Sequence, residues 1–255
     1  MIYNAAPLYM VRVCKKDGFS SKAGVVRNNC YAWALGPVAL ATRGNAYKLQ
    51  PGDLSTKKPF DLRSCKNVVR RVKEDLAVVG GNIVSFRGKC TATQYKIALV
   101  LAPGTDYHFL VHHKDVKYQV TTTGETRHSI AAQFGVSVNK VELKTRYVPG
   151  TSVFIKDANC WSHKRGTAYA PTLLDSNRKI IKDPRRAKLD YPGLNYTVFC
   201  ATFCVPSRDT AARCATVKNT KRRGLCVSAQ DEDYKLIRKK IEKVRRMARG
   251  RTNWF

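Results

Sequence analysis

The sequence predicts an α+β fold in which a short helix opening on a cysteine packs against an antiparallel sheet. Three observations carry the prediction. Several short apolar runs read as strands and end at turn signals such as Pro103-Gly104. The stretch from Asp61 to Val79 instead repeats apolar residues at helical spacing. Finally, Tyr107 to His113 and Cys160 to Lys164 read as the two halves of one hairpin whose tip has been opened to admit a small unit.

In chain order, residues 1–27 give a short apolar start and a polar loop. Asn28-Asn29 precede Cys30-Tyr31-Ala32-Trp33-Ala34-Leu35, and Asn is a favoured N-cap, so a helix begins at or just before Cys30 and is cut short by Gly36-Pro37. A loop-rich segment follows. The amphipathic helix of 61–79 presents Leu62, Val68, Val69, Val72, Leu76 and Val79 on one face and stops at Gly80-Gly81. Strands are expected at Asn82–Arg87 and Tyr95–Ala102, then the first hairpin flank. After Lys164 a long loop-rich excursion leads to a strand over Tyr196–Val205, where Cys200 and Cys204 fall on one face as buried structural thiols rather than zinc ligands. From Pro206 onward the chain is strongly basic. Asp231-Glu232-Asp233 open an amphipathic helix, Tyr234–Arg249, with bases towards its end as the helix dipole favours.

The resulting division is a core in two parts, 1–115 and 158–205, an insert at 116–157, and a basic tail at 206–255. With 255 residues and 44% hydrophobic content, the chain is long enough to bury a real core. Its formal charge of +29 points to a polyanionic partner, whether nucleic acid, an acidic cell-wall polymer or anionic lipid, bound in a salt-sensitive way. Arg238, Lys239, Arg245 and Arg246 of the tail helix are the candidate polyanion contacts, against the alternative of a docked helix with a solvated basic face. The best apolar run, Tyr95–Ala102, is too short to cross a bilayer, so no membrane span is expected. Met1–Val13 has no signal-peptide pattern, which leaves a virus particle or a host cytoplasm as places to look. Nine cysteines, an odd number without a CxxC pair, leave at least one thiol free or paired between chains. No cofactor or metal is expected.

Within the insert, Tyr118-Gln119-Val120, Gly124-Glu125-Thr126, Ser129-Ile130-Ala131, Phe134-Gly135-Val136, Pro149-Gly150 and Val153-Phe154-Ile155 suit a turn, an apolar helical face and paired strands. This order resembles a LysM module over Tyr118–Ile155, with a Val138–Pro149 segment shorter than usual. The resemblance implies a βααβ unit binding peptidoglycan or another N-acetylglucosamine-containing glycan, with Gly124, Glu125 and Thr126 as glycan-binding residues. A spacer or protein-docking module is the alternative.

Each hairpin flank carries histidine, and an imidazole pair is what a cysteine nucleophile needs. A helix N-terminus and an adjacent imidazole lower a thiol pKa. With the insert set aside, Cys30 and the flanks resemble the active-site hairpin of NlpC-type papain-like cell-wall peptidases and the related CHAP amidases, although Tyr31 stands where many NlpC-type members have serine. The resemblance implies Cys30 as nucleophile, His108 as general base and His163 as orienter in a hydrolase cleaving an amide bond of peptidoglycan or a related peptide. His163 as the base, oriented by Asp175 or Asp183, stays open. A zinc site of His108, His112 and His163 is geometrically open too, but disfavoured by the free cysteine and the lack of an acidic cluster. Other readings are a thioester acyltransferase and a basic viral or phage structural protein that docks nucleic acid.

Overall fold

A computed structural model describes residues 29–36, 48–55, 60–92, 94–166, 169 and 171–206. The described chain is mixed α+β with antiparallel sheets. Its first helix, α1 (Cys30–Leu35), is buried on every side. Six residues are too few to hold helical structure alone, so packing must hold it. Asn29 supplies the N-cap by accepting from the Ala32 amide at 2.9 Å, while its own amide donates to the Leu49 carbonyl at 2.7 Å. Helix α2 (Cys65–Val79) begins four residues later than the apolar spacing suggests. There Asp61 accepts from both the Arg63 amide and its guanidinium, fixing a local turn that competes with the helix. Gly80 ends α2 in the left-handed conformation, φ +84°.

The strands are β1 (Asn82–Val84), β2 (Gln94–Ala102), β3 (Asp106–His113), β4 (Val116–Gln119), β5 (Ser152–Ile155), β6 (Cys160–His163), β7 (Asp190–Tyr191), β8 (Leu194–Asn195) and β9 (Val198–Pro206). Five form one sheet in the order β1-β9-β2-β3-β6. The first strand is shorter than the sequence predicts, because Ser85–Gly88 closes a turn through the Gly88 amide and the Ser85 carbonyl. One face of the sheet carries Ile97, Leu99, Tyr107, Phe109, Val111 and Phe203 against α1 and α2. The other carries Ala98, Val100, Leu110 and Trp161 against Ile181, Leu189 and Tyr196 from the excursion, which also contains the β7–β8 hairpin.

The cysteines of β9 correct the sequence reading. Both are in disulfides: Cys65–Cys200 ties α2 to the sheet, and Cys90–Cys204 ties down the loop after β1. They also point to opposite faces. Leu99 pairs with Ala201 but Val100 with Phe199, so Cys200 is an extra bulge residue that breaks the alternation. The bridges span 135 and 114 residues of chain, and the chain-entropy model assigns each about 4–5 kcal/mol.

The hairpin flanks pair antiparallel, with Leu110 opposite His163 and His113 opposite Cys160. Beyond them β4 and β5 pair as a second sheet. The Asn159 amide bonds to the Lys114 carbonyl at 3.0 Å and the Asp157 amide to the Asp115 carboxylate at 2.7 Å, closing the neck. Residues 116–157 also contain α3 (Arg127–Gln133) and a single 3₁₀ turn, Val138–Lys140, around a core of Val120, Ile130, Phe134, Val141 and Val153. No helix among the described residues is long and apolar enough to cross a membrane.

Candidate active site

Cys30 stands at the first turn of α1, and its position follows from where β6 stops. Continued in register, β6 would bring residue 165 opposite His108, but the strand ends at His163. The Cys30 sulfur fills that gap in the ladder. Its thiol donates to the Tyr107 carbonyl at 3.8 Å, and the Phe109 amide bonds the sulfur in turn. These are the backbone groups on either side of His108. Cys30 therefore lies beside the backbone that flanks His108, in the plane of the sheet, although α1 packs on one face and the His108 ring on the other. Among the described residues, no hydrogen bond joins the sulfur to an imidazole.

Burial pushes the Cys30 thiol up to about 12 and the nearby Asp106 carboxylate adds to the shift, against the pull of the Phe109, Tyr31 and Cys30 amides. The sequence expectation was a thiol lowered by its helix start. Desolvation outweighs three amides because the residue is only 8% exposed. The resting group is a neutral thiol, not a preformed thiolate.

His108 and His163 meet at 2.8 Å, His108 Nε2 to His163 Nδ1, as His163 opposite Leu110 puts the two rings on one face. The other nitrogen of His163 lies 2.9 Å from the Leu174 carbonyl oxygen. A carbonyl only accepts, so His163 carries its proton on Nε2 and offers a lone pair at Nδ1. His108 must then donate from Nε2, which leaves its Nδ1 unprotonated. The Tyr196 ring stacks on His108 at 4.9 Å, and its hydroxyl donates to Asp106 at 2.7 Å. Burial holds both imidazoles below their usual range, His163 down to about 4, with His108 further disfavoured as a cation by His163, Arg165 and Lys164.

The remaining candidates fall elsewhere. Asp175 accepts from the Lys179 and Lys188 amides and shapes its own turn, while Asp183 pairs with Arg185; His163 bonds neither. His112 packs its ring against Trp161 at 5.0 Å and His113 bonds Ser162, away from the pair. In the insert, Glu125 accepts from the Thr121 and Thr122 amides and from the Tyr118 hydroxyl, and Thr126 caps α3 in a capping box. Gly124 adopts φ +88° in the turn between them. All three serve the insert's own fold. Arg238, Lys239, Arg245 and Arg246 lie outside the described residues.

Sequence reasoning missed Asp106, Tyr196 and Lys164, and nothing in their spacing would have singled them out. Comparison with known proteins gives no match: no family model fits the chain, no curated protein aligns with it and no solved structure resembles it.

Proposed function

We propose that the protein is a cysteine hydrolase of papain-like type that cleaves an amide bond, in peptidoglycan or a related peptide, with the LysM-like insert holding it near its polymer. The observation that supports this reading most directly is the His108–His163 pair, whose hydrogen bonds leave His108 Nδ1 unprotonated, one residue along the strand from the Tyr107 carbonyl that accepts from the Cys30 thiol. In the first step His108 takes the thiol proton as sulfur attacks the carbonyl carbon. Collapse of the oxyanion expels the amine, which takes that proton from His108, and water then hydrolyses the thioester. The amides of Cys30 and Tyr31 already lean toward the sulfur and are candidates for the oxyanion site. The same thioester would serve an acyltransferase if an amine or alcohol replaced water.

Cys30→Ala is expected to abolish release of amine from peptidoglycan fragments while the circular dichroism spectrum stays that of the parent. Retained turnover in the folded variant would sink the proposal. A second reading, a basic scaffold that docks nucleic acid, is favoured by the charge of +29. It expects salt-sensitive DNA binding that weakens at least tenfold on removal of residues 206–255, and equal binding by the truncated chain would count against it.

A further inference from the structure

Two residues beyond the end of β6, Arg165 brings its guanidinium over two tyrosine rings, with Cζ 4.4 Å from the centre of the Tyr169 ring and 4.7 Å from that of Tyr191. Tyr191 in turn meets the imidazole pair. Its ring stacks on His163 at 6.0 Å, and its hydroxyl oxygen lies 3.3 Å from His163 Nε2. Contact with aromatic faces offsets the positive charge but makes no use of the N–H donors, which lie in the guanidinium plane. No ion pair and no side-chain hydrogen bond among the described residues engages them. This sets Arg165 apart from the other described arginines that are not exposed, since Arg71 pairs with Glu74 and Arg127 donates to the Val141 carbonyl. Tyr169 is 54% exposed, so this flank of the guanidinium is open to a ligand.

We propose that Arg165, flanked by Tyr169 and Tyr191, binds a carboxylate of the substrate beside the His108–His163 pair and so selects acidic peptides. The inference rests on the proposed function and names the substrate class of that same site. A guanidinium and a carboxylate are both planar and meet edge to edge through two parallel N–H···O bonds. The tyrosine rings hold the guanidinium and leave that edge for the ligand. Arg165 exchanges no atom with the substrate. A carboxylate bound there also acts on the imidazoles through its charge. Burial is the first cause holding His163 down at about 4, the Leu174 carbonyl and Asp175 act against it, and Arg165 adds to the lowering. His108 and Tyr191 are the other titratable groups against that ring. A carboxylate that neutralises Arg165 therefore moves the His163 midpoint upward.

The test is an NMR titration of the full-length protein, isotope-labelled at the histidine nitrogens. The probes are N-acetylglutamate α-amide, which carries one carboxylate, the neutral N-acetylglutamine amide, and inorganic phosphate. The acidic probe is expected to shift the His163 ring resonances saturably, to raise the His163 midpoint, and to bind about tenfold tighter than the neutral one. Arg165→Gln is expected to remove that difference, while Arg165→Lys, which keeps the charge without the planar fork, retains part of it. Should Arg165→Gln fail to fold, the comparison of the probes in the parent protein still decides. An equal response to the acidic and neutral probes, discrimination unchanged in Arg165→Gln, or tighter binding of phosphate than of the carboxylate would overturn the proposal. Loss of activity in Cys30→Ala alongside such a result removes only the role of Arg165, whereas activity retained in Cys30→Ala removes the nucleophile itself.

Discussion

Both ring nitrogens of His163 are occupied, one by His108 and one by the Leu174 carbonyl, and this fixes the proton on His108. His163 is thus a neutral ring held by a backbone acceptor rather than by a carboxylate. A consequence follows for pH. With both imidazoles depressed, His108 stays unprotonated well below the usual histidine range, so under the proposed function kcat/KM is expected to show no acid limb near pH 6.5. A half-maximal point at pH 6.5 in a pH–rate profile would contradict the geometry. Stability has the matching sign. A depressed folded pKa contributes stability above the unfolded value of about 6.5, and this is lost as pH falls towards about 4; for His163 the loss is about 3 kcal/mol. Urea unfolding at pH 7 and pH 4 measures it.

At the scale of the element, α1 is a six-residue helix positioned by its neighbours. Tyr31 packs on Phe109 at 4.8 Å and donates to Asp75 at 2.8 Å, which explains a large aromatic directly after the cysteine. Asp75 also accepts from the Gly52 and Leu54 amides and the Ser55 hydroxyl. One carboxylate on α2 thereby joins α1 and the 48–55 loop. Asp75→Asn offers one oxygen to four donors and is expected to cost about 2–4 kcal/mol in urea unfolding. A loss under 1 kcal/mol would mean that the loop rearranges freely. Burial pushes Asp75 up to about 6 against the pull of its donors, so its stabilising contribution is fullest below the ordinary carboxylate range and is lost as pH rises through about 6. This opposes the histidine effect, and the Asn variant is expected to steepen the loss on acidification.

For the whole molecule, the insert and the core are joined by more than a tether. Cys160 and Leu173 belong to the insert's apolar cluster, and Lys182 donates to the Phe134 and Ala158 carbonyls. Replacing 116–157 by a short turn is therefore expected to cost about 1–3 kcal/mol by exposing Cys160 and Leu173. Cys30 alkylation should stay within about twofold, while co-sedimentation with peptidoglycan is lost under the proposed function. Unchanged sedimentation would mean that the insert is a spacer. Covalent ties add to the core, since two disulfides join β9 to α2 and to the loop after β1.

The helix at Cys30, the amphipathic helix before Gly80 and the pairing of the two hairpin flanks were legible in the sequence, because caps, helical spacing and period-two alternation are local properties. So was the facing of His108 and His163, which follows from strand alternation once the flanks pair. The disulfide partners were not. They depend on a one-residue bulge at Cys200, which turns the two cysteines of β9 to opposite faces. The ionisation of Cys30 was misjudged for a similar reason, as helix position is read from sequence but desolvation is set by everything packed around the sulfur. By itself, the sequence determined which segments form elements and which face each presents. Only the tertiary structure decided where β6 stops, that the Cys30 sulfur fills the vacated place in the ladder, and that Lys164 is buried, because those outcomes arise from long-range packing and solvent exclusion that no local pattern encodes.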